Sequence, residues 1–227
     1  MTGVVHLEAP ALDAALLEAA RECAVSDLHE VLPSSERSAA TMSERMRPLA
    51  LGIRMAGRAI TVRPAPGDNL MLHRALKLAH AGDVLVVAAD GVPGAQWGYL
   101  AALHAERVGI AGVVVHGNIR DADDLNRMRY PVWSTAIHPA HPEKKAPGEV
   151  NVTVLCDGVT VHPGDLVVAD GDGVIVVPRA LAAEAVAATR RRAAEEKGAA
   201  ERIAQGATLW DLHDLEARYA ALGVHES

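Results

Sequence analysis

The chain has no phenylalanine, and its 227 residues include only three tryptophans and three tyrosines. A core without aromatics must be filled by Val, Leu, Ile and Ala; half of the sequence is hydrophobic, so a folded globular protein is expected. Cysteine is scarce as well: Cys23 and Cys156 lie far apart, with no CxxC spacing. A disulfide framework or a zinc site does not fit that pattern, whereas buried thiols in a reducing compartment do. Basic excess is missing, and the formal charge of −7 argues against a general nucleic-acid or membrane surface. Acidity leaves a protein partner open. No apolar run approaches ~18 residues, and no charged-then-apolar leader opens the sequence, so a soluble cytoplasmic protein is expected. Nor does any GxSxG, P-loop or GxGxxG stand in a competent context, and no Cys–His dyad suggests itself.

What is present is patterned. Leu12, Leu16, Leu17 and Ala20 recur at helical spacing, and Ser26-Asp27 begins a second short helix ending near Pro33. Residues 34–48 are polar and mixed in charge and read as a loop. Leu51 to Val62 reads as a strand, with Gly57 marking a bulge or a close approach. PAPGDN, Pro64 to Asn69, is a turn into a helix from Leu70 to Ala81, with Asp68 or Asn69 as its cap; the competing reading has the backbone N–H groups of this helix start meeting an anion. Two strand–loop–helix units follow in series. In the first, strand Val84 to Ala88 leads through Asp90-Gly91 and a VPGAQ loop to a helix opening at Trp97-Gly98-Tyr99-Leu100. The second runs from Gly112 to Met128.

Tyr130 to Thr135 is a short strand, and residues 136–149 form a solvated loop carrying His138, His141, Lys144 and Lys145. Short β-runs follow at Val150–Leu155, Val159–Val161, Leu166–Ala169 and Val174–Val177, parted by Asp-Gly and Pro-Gly turns. The acidic turn Asp170 to Gly173 lacks the later ligand series and closing Glu of a calcium loop. Pro178 to Gln205 makes a long helix, and Leu209 to Leu222 a terminal one. With no repeat or low-complexity linker, residues 1–227 read as one domain with helical extensions at both ends.

The chemistry centres on GIAGVVVHGNIRDADD, Gly109 to Asp124. Val113-Val114-Val115 reads as a buried strand that His116-Gly117-Asn118 breaks. Arg120-Asp121 then sits where strand gives way to helix, a common ligand position in α/β sheets. Arg can clamp a carboxylate through two parallel hydrogen bonds, and Asp can hold a hard metal through oxygen. The competing reading is a surface Arg–Asp pair capping a helix.

Gly67-Asp68-Asn69, Asp90-Gly91, Trp97-Gly98-Tyr99-Leu100, Gly112 to Gly117 and Arg120 to Asp124 together resemble one known family in their order and spacing. It joins the class II 4-hydroxy-4-methyl-2-oxoglutarate / 4-carboxy-4-hydroxy-2-oxoadipate aldolases with the regulators of ribonuclease E activity. VNVTVLCDGVTVHPGDLVVADGDGVIVVP, Val150 to Pro178, is similar to the family's second signature. The resemblance implies an α/β fold around a β-rich sandwich of the swivelling, phosphohistidine-domain-like type, in homotrimers or hexamers with sites between subunits. It implies Mg²⁺ or Mn²⁺ on Asp121, and a pyruvate-like carboxylate or keto oxygen on Arg120. Backbone N–H groups of Gly98, Tyr99, Leu100 and Ala101 would also receive the substrate. A glutamate from a neighbouring subunit's long helix, best matched by Glu196 and next by Glu195, would complete the metal's water shell.

The ribonuclease regulators commonly lack the aspartate that this chain keeps as Asp121, so the resemblance leans to the enzyme branch. Tyr99 stands where the family usually has an acidic residue, and tyrosine supplies no charge near neutral pH. The expected activity is metal-dependent cleavage of a 4-hydroxy-2-oxo acid to pyruvate, with oxaloacetate decarboxylation as a side activity. A non-catalytic binding protein and a lyase of changed substrate range are the alternatives.

Overall fold

The computed structural model describes residues 3–89 and 94–224. The expected Asp90-Gly91 turn and the Val92-Pro93 start of the loop after it lie outside the described residues.

Before the central sheet come β1 (Val4–Val5), α1 (Ala14–Ala20), α2 (Val25–Val31), α3 (Ser34–Ala40) and β2 (Arg47–Pro48). The sheet's parallel core is then laid down as β3 (Met55–Arg63), α4 (Leu70–Leu78), β4 (Asp83–Ala88), β5 (Ala95–Trp97), α5 (Tyr99–Val108) and β6 (Gly112–Ile119). It is completed by α6 (Ala122–Met128) and β7 (Val132–Ile137). Five short strands follow: β8 (Glu149–Val150), β9 (Val154–Cys156), β10 (Val159–Val161), β11 (Leu166–Asp170) and β12 (Gly173–Val177). The chain then runs into α7 (Ala182–Ala204), α8 (Leu209–Leu212) and α9 (Leu215–Ala221).

Among the described residues, ten strands form one mixed sheet, and β9–β10 make a separate ribbon. Strands β3, β4, β6 and β7 lie side by side and parallel, joined by the segments that carry α4, α5 and α6. A parallel strand is covered on both faces, so it can be apolar throughout. β4 meets that condition, with all six residues buried. The free edge of β3 is shared by two antiparallel neighbours, β11 at Met55–Arg58 and β8 at Val62–Arg63.

One face of the sheet packs Trp133, Met46 and Val114 against the β9–β10 ribbon. The opposite face packs Leu72, Leu76 and Ala105 of α4 and α5, together with Trp97 and Tyr130. A third cluster seats α1, α2 and the start of α7 on β11–β12. No helix among the described residues is long and apolar enough to cross a membrane. Cys23 and Cys156 are both free and buried.

Several local expectations are corrected. Residues 34–48 are not a plain loop, because they form α3 and β2, with Arg47 and Pro48 pairing antiparallel to Ser134 and Trp133. Strand β3 starts only at Met55, after a turn in which Gly52 has φ 72°. Gly57 is a close approach rather than a bulge. A Cβ there would meet the Gly82 carbonyl oxygen at 2.3 Å, while the register with β11 runs through it unshifted.

His116-Gly117-Asn118 does not end β6, which continues to Ile119. The irregularity appears instead as a register shift against β7 between Val115 and Asn118, where Gly117 takes φ 150° and its N–H donates to Thr135 Oγ1. The expected strand Val150–Leu155 is broken in the middle, where Asn151 takes a left-handed φ of 55°. The terminal helix is likewise two helices, parted by Asp214 at φ 50°.

Candidate active site

The parallel strands β4 and β6 aim their carboxyl ends at one rim of the sheet, where α/β folds open their crevices. The short strand β5 lies parallel on the last residues of β6, pairing Ala95 with Asn118 and Trp97 with Ile119. The Arg120 N–H continues that pairing by donating to the Trp97 carbonyl at 2.9 Å. This brings the start of α5, Gly98-Tyr99, alongside Arg120-Asp121. Trp97 anchors the corner, 1% exposed and stacked on Tyr130 with ring centroids 5.9 Å apart. Such a pair contributes about 1 kcal/mol beyond its area.

Asp121 opens α6 with φ 58° and ψ 39°, a left-handed conformation that Asp tolerates better than most residues. Its carboxylate does not cap its own helix. Oδ2 instead accepts the Tyr99 N–H at 3.0 Å, so the carboxylate meets the first N–H of α5, at the positive end of that helix's dipole. The capping alternative is therefore correct in kind but directed at a different helix. Among the described residues Oδ1 has no hydrogen-bond donor. Arg120 Nε stands 3.8 Å from Asp121 Oδ2, with the two side chains 38% and 39% exposed. A pair that open contributes at most about 1 kcal/mol to stability, so folding alone does not account for both charges here.

Gly98 makes room for this arrangement. A Cβ at Gly98 would lie 2.6 Å from Asp121 Oδ2 and 3.2 Å from Arg120 Cγ. Its φ of −163° is extended and open to any residue, so the constraint is purely steric.

Arg120, Asp121, Gly98, Leu100 and Ala101 line one open cleft of about 160 Å³. Five of the expected site residues are thus gathered by the fold. Tyr99 joins through its backbone N–H, and its ring is not part of the lining. Two of the four backbone donors expected at the α5 start are already engaged, Tyr99 on Asp121 and Ala101 on the Gly98 carbonyl. Any anion received there must use the other two. Glu196 is not in the lining; within its own chain its Oε1 pairs with Arg192 Nη2 at 2.9 Å, while Arg192 also holds Asp27 and Glu30.

Asn69, His73, Gln96, Pro142 and Lys144 also line the cleft. Partial desolvation holds the His73 imidazole below its ordinary value, and the Lys144 and His104 charges push it the same way. Gln96 and Asn69 are buried, at 2% and 6% exposed. The sequence signal for these residues was Gly67-Asp68-Asn69, a motif of the resemblance at a helix start read either as a plain cap or as a seat for an anion. His138 and His141, of the expected solvated loop, are not in the lining, and the His138 Nδ1 accepts the Ala140 N–H.

Among the described residues, no three His, Cys, Asp or Glu side chains gather as a closed metal cage. Among the described residues, the one carboxylate lining the cleft is that of Asp121, with one oxygen unengaged. That suits a hard divalent cation which keeps most of its water, as Mg²⁺ does.

A family model described as RraA-like, Aldolase/RraA, matches residues 23–176. The chain belongs to this family. A protein of Halalkalibacterium halodurans, provisionally named a 4-hydroxy-4-methyl-2-oxoglutarate aldolase, is 34% identical over 157 residues, 69% of this chain and 75% of that one. The RraA-like fold recurs in the solved structure of an uncharacterized Pseudomonas syringae protein, with TM-score 0.78 and 29% identity over 90% of this chain and 95% of that one. Streptomyces coelicolor RraAS2, described as an unusual member of the RNase ES inhibitor RraA family, matches with TM-score 0.72 and 31% identity. That match covers 87% of this chain and 99% of RraAS2.

Proposed function

We propose that this RraA-like chain is a divalent-metal-dependent lyase that cleaves a 4-hydroxy-2-oxo acid to pyruvate and a second oxo acid, with oxaloacetate decarboxylation as a side activity. The observation that carries the reading is the meeting of Arg120, Asp121 and the α5 start at one cleft. A 34%-identical relative provisionally named as such an aldolase supports it. One domain, with a core of the swivelling type, assembled as a trimer or hexamer, is the corresponding architecture.

Asp121 Oδ1, with waters, would hold Mg²⁺ or Mn²⁺. When bound, that ion supplies Lewis-acid polarisation of the 2-keto group. Arg120 binds the same end of the substrate, and its fixed positive charge opposes the negative charge that develops as the C–C bond breaks. The Tyr99 N–H fixes Asp121 in place, so the carboxylate needs no reorientation during turnover. The unengaged N–H groups at the α5 start orient the 2-oxo acid carboxylate. Glu196 of a neighbouring copy would complete the site once released from Arg192.

The test is pyruvate release from oxaloacetate and from 4-carboxy-4-hydroxy-2-oxoadipate, with Mg²⁺, Mn²⁺ or EDTA, for wild type and Asp121→Ala. Metal-dependent release that Asp121→Ala abolishes is the expected result. No release by wild type under any condition refutes the reading. The likeness to RraAS2 favours a second reading, a non-catalytic regulator binding a ribonuclease through its oligomeric surface. Tight ribonuclease binding unchanged by Asp121→Ala, without pyruvate release, would establish it.

A further inference from the structure

Strands β3, β4 and β6 run parallel, so their amino ends share a second rim of the sheet, away from the candidate active site. β4 begins late there. Its first residue, Asp83, pairs with Arg58, so Met55, Ala56 and Gly57 of β3 run on past it. On the other side of β4, β6 opens at Gly112 opposite Val84, and the Ala111 N–H donates to the Asp83 carbonyl at 2.8 Å. The late start of β4 leaves a notch between β3 and β6. An open cleft of about 370 Å³ is found here, lined by Arg21, Arg54, Met55, Ala56 and Ala111. None of these residues lines the active-site cleft.

The two cations of the notch are held differently. Arg54 is anchored, with Nη2 donating to the Cys23 carbonyl at 2.9 Å. Its ion-pair partner, Asp170 Oδ2, is 3.7 Å away and already accepts the Val25 N–H at 3.0 Å, while Asp170 Oδ1 accepts the Asp172 N–H at 2.9 Å. Among the described residues, Arg54 Nε and Nη1 have no acceptor. Arg21 pairs with Glu18 at 2.6 Å, but the two side chains are 52% and 72% exposed, so that pair contributes little and can be exchanged. Among the described residues no carboxylate lines the notch. Its apolar lining is closely packed: a Cβ at Gly112 would stand 2.4 Å from Met55 Sδ, so the glycine is what admits the methionine.

We propose that this notch is a second ligand site, for a small organic carboxylate with a short hydrocarbon body. The carboxylate takes the unengaged donors of Arg54 and draws in Arg21, because a guanidinium presents paired N–H groups that match two carboxylate oxygens. The bond to Cys23 holds Arg54 in place before the ligand arrives, which lowers the ordering cost of binding. The hydrocarbon rests on Met55, Ala56 and Ala111, where removal of apolar surface from water adds to the charge interaction. Inorganic phosphate gains the charge interaction but not the apolar one. The assignment stands apart from the lyase reading, since it uses none of that site's residues.

The test is calorimetry of the full chain at fixed ionic strength with isovalerate, acetate, neutral isovaleramide and inorganic phosphate. Isovalerate should bind with a Kd of about 1 mM or below, more tightly than acetate or phosphate, and the amide should give no heat. Arg54→Gln should weaken isovalerate at least about tenfold, the worth of a hydrogen bond to a charged group, and Arg21→Gln by less. Arg120→Gln, in the active-site cleft, should leave isovalerate binding unchanged. In the NMR spectrum of methyl-labelled protein, the Met55 methyl signal, assigned by its loss in Met55→Leu, should move as isovalerate is added.

No isovalerate binding by wild type at about 20 mM overturns the proposal, as does binding that both Arg54→Gln and Arg21→Gln leave intact. Arg21 is exposed at the end of α1, so its variant decides the matter if Arg54→Gln fails to fold. Binding lost in Arg120→Gln but kept in Arg54→Gln puts the anion in the active-site cleft and refutes the second site. Phosphate binding as tightly as isovalerate refutes the organic carboxylate as its ligand. Arg54-dependent isovalerate binding by a protein that releases no pyruvate supports the notch and counts against the lyase alone.

Discussion

Gly98→Ala is the sharpest single perturbation of the site, because the added methyl group collides first with Asp121 and, less closely, with Arg120 Cγ at 3.2 Å. Its carbon would stand 2.6 Å from Asp121 Oδ2, about 0.8 Å short of ordinary van der Waals contact. The backbone at φ −163° accepts alanine without strain, so relief must come from the carboxylate. A retreat of that size stretches the 3.0 Å bond from the Tyr99 N–H to about 3.8 Å, beyond hydrogen-bond range. Loss of a bond to a charged acceptor costs about 1.5–3 kcal/mol where the groups are enclosed. Here Asp121 is 39% exposed and water can replace the donor, so about 1 kcal/mol is the better expectation. For a chain of this length that is a fall in Tm of about 2–4 °C.

Function should suffer far more than folding, since the carboxylate is turned away from the cleft. Mn²⁺ binding by calorimetry and pyruvate release should each fall at least about tenfold, the range seen when a group that orients a metal ligand is lost. Gly198→Ala is the control: its Cβ meets nothing within 4 Å, and alanine inside α7 should stabilise the chain by about 0.5–1 kcal/mol. Unchanged Mn²⁺ affinity and turnover in Gly98→Ala would refute the argument that the Tyr99–Asp121 bond positions the site.

Two further substitutions test the frame. Arg58 grips Asp83 through Nε at 2.8 Å and Nη2 at 2.9 Å, with side chains 15% and 5% exposed, so Asp83→Ala strands a buried guanidinium. Urea unfolding should show a loss of about 3–5 kcal/mol in that variant. Asp68, whose buried carboxylate accepts the Leu70, Lys145 and Ala146 N–H groups, is a test by pH. Burial alone would raise its pKa, but the N–H donors of Lys145, Leu70 and Ala146 and the Lys144 charge outweigh it, leaving the carboxyl below its ordinary value. Its contribution is complete above the unfolded value of about 3.9 and is lost as pH falls through the lower folded one. The gap in Tm between wild type and Asp68→Asn should therefore be widest near neutrality and narrow below about pH 4. A gap independent of pH would remove the carboxylate's charge from the explanation.

Much of the fold was legible wherever one physical signal dominated. The apolar runs around Val84–Ala88 and Val113–Val115 announced buried strands, because strands covered on both faces need no alternation. The Asp170–Gly173 turn was read as a tight turn and closes the β11–β12 hairpin. Errors came where long-range contacts overrode local composition. Residues 34–48 look like loop, yet Arg47 and Pro48 find a partner strand more than 80 positions away. His116-Gly117-Asn118 looks like a break, yet β5 and β7 flank it and hold it extended.

The sequence by itself determined the family, an α/β chain without a membrane-spanning helix among the described residues, and the Arg120-Asp121 pair at a strand end. Those follow from composition, periodicity and the order of short motifs, all of which are local. Only the tertiary structure decided what Asp121 caps, that Tyr99 serves through its backbone, and that Asp68 ties Lys145 and Ala146 to the start of α4. The reason is distance along the chain. Asp121 and Tyr99 are 22 residues apart and Asp68 and Lys145 are 77 apart, and each contact exists only once the parallel strands are side by side.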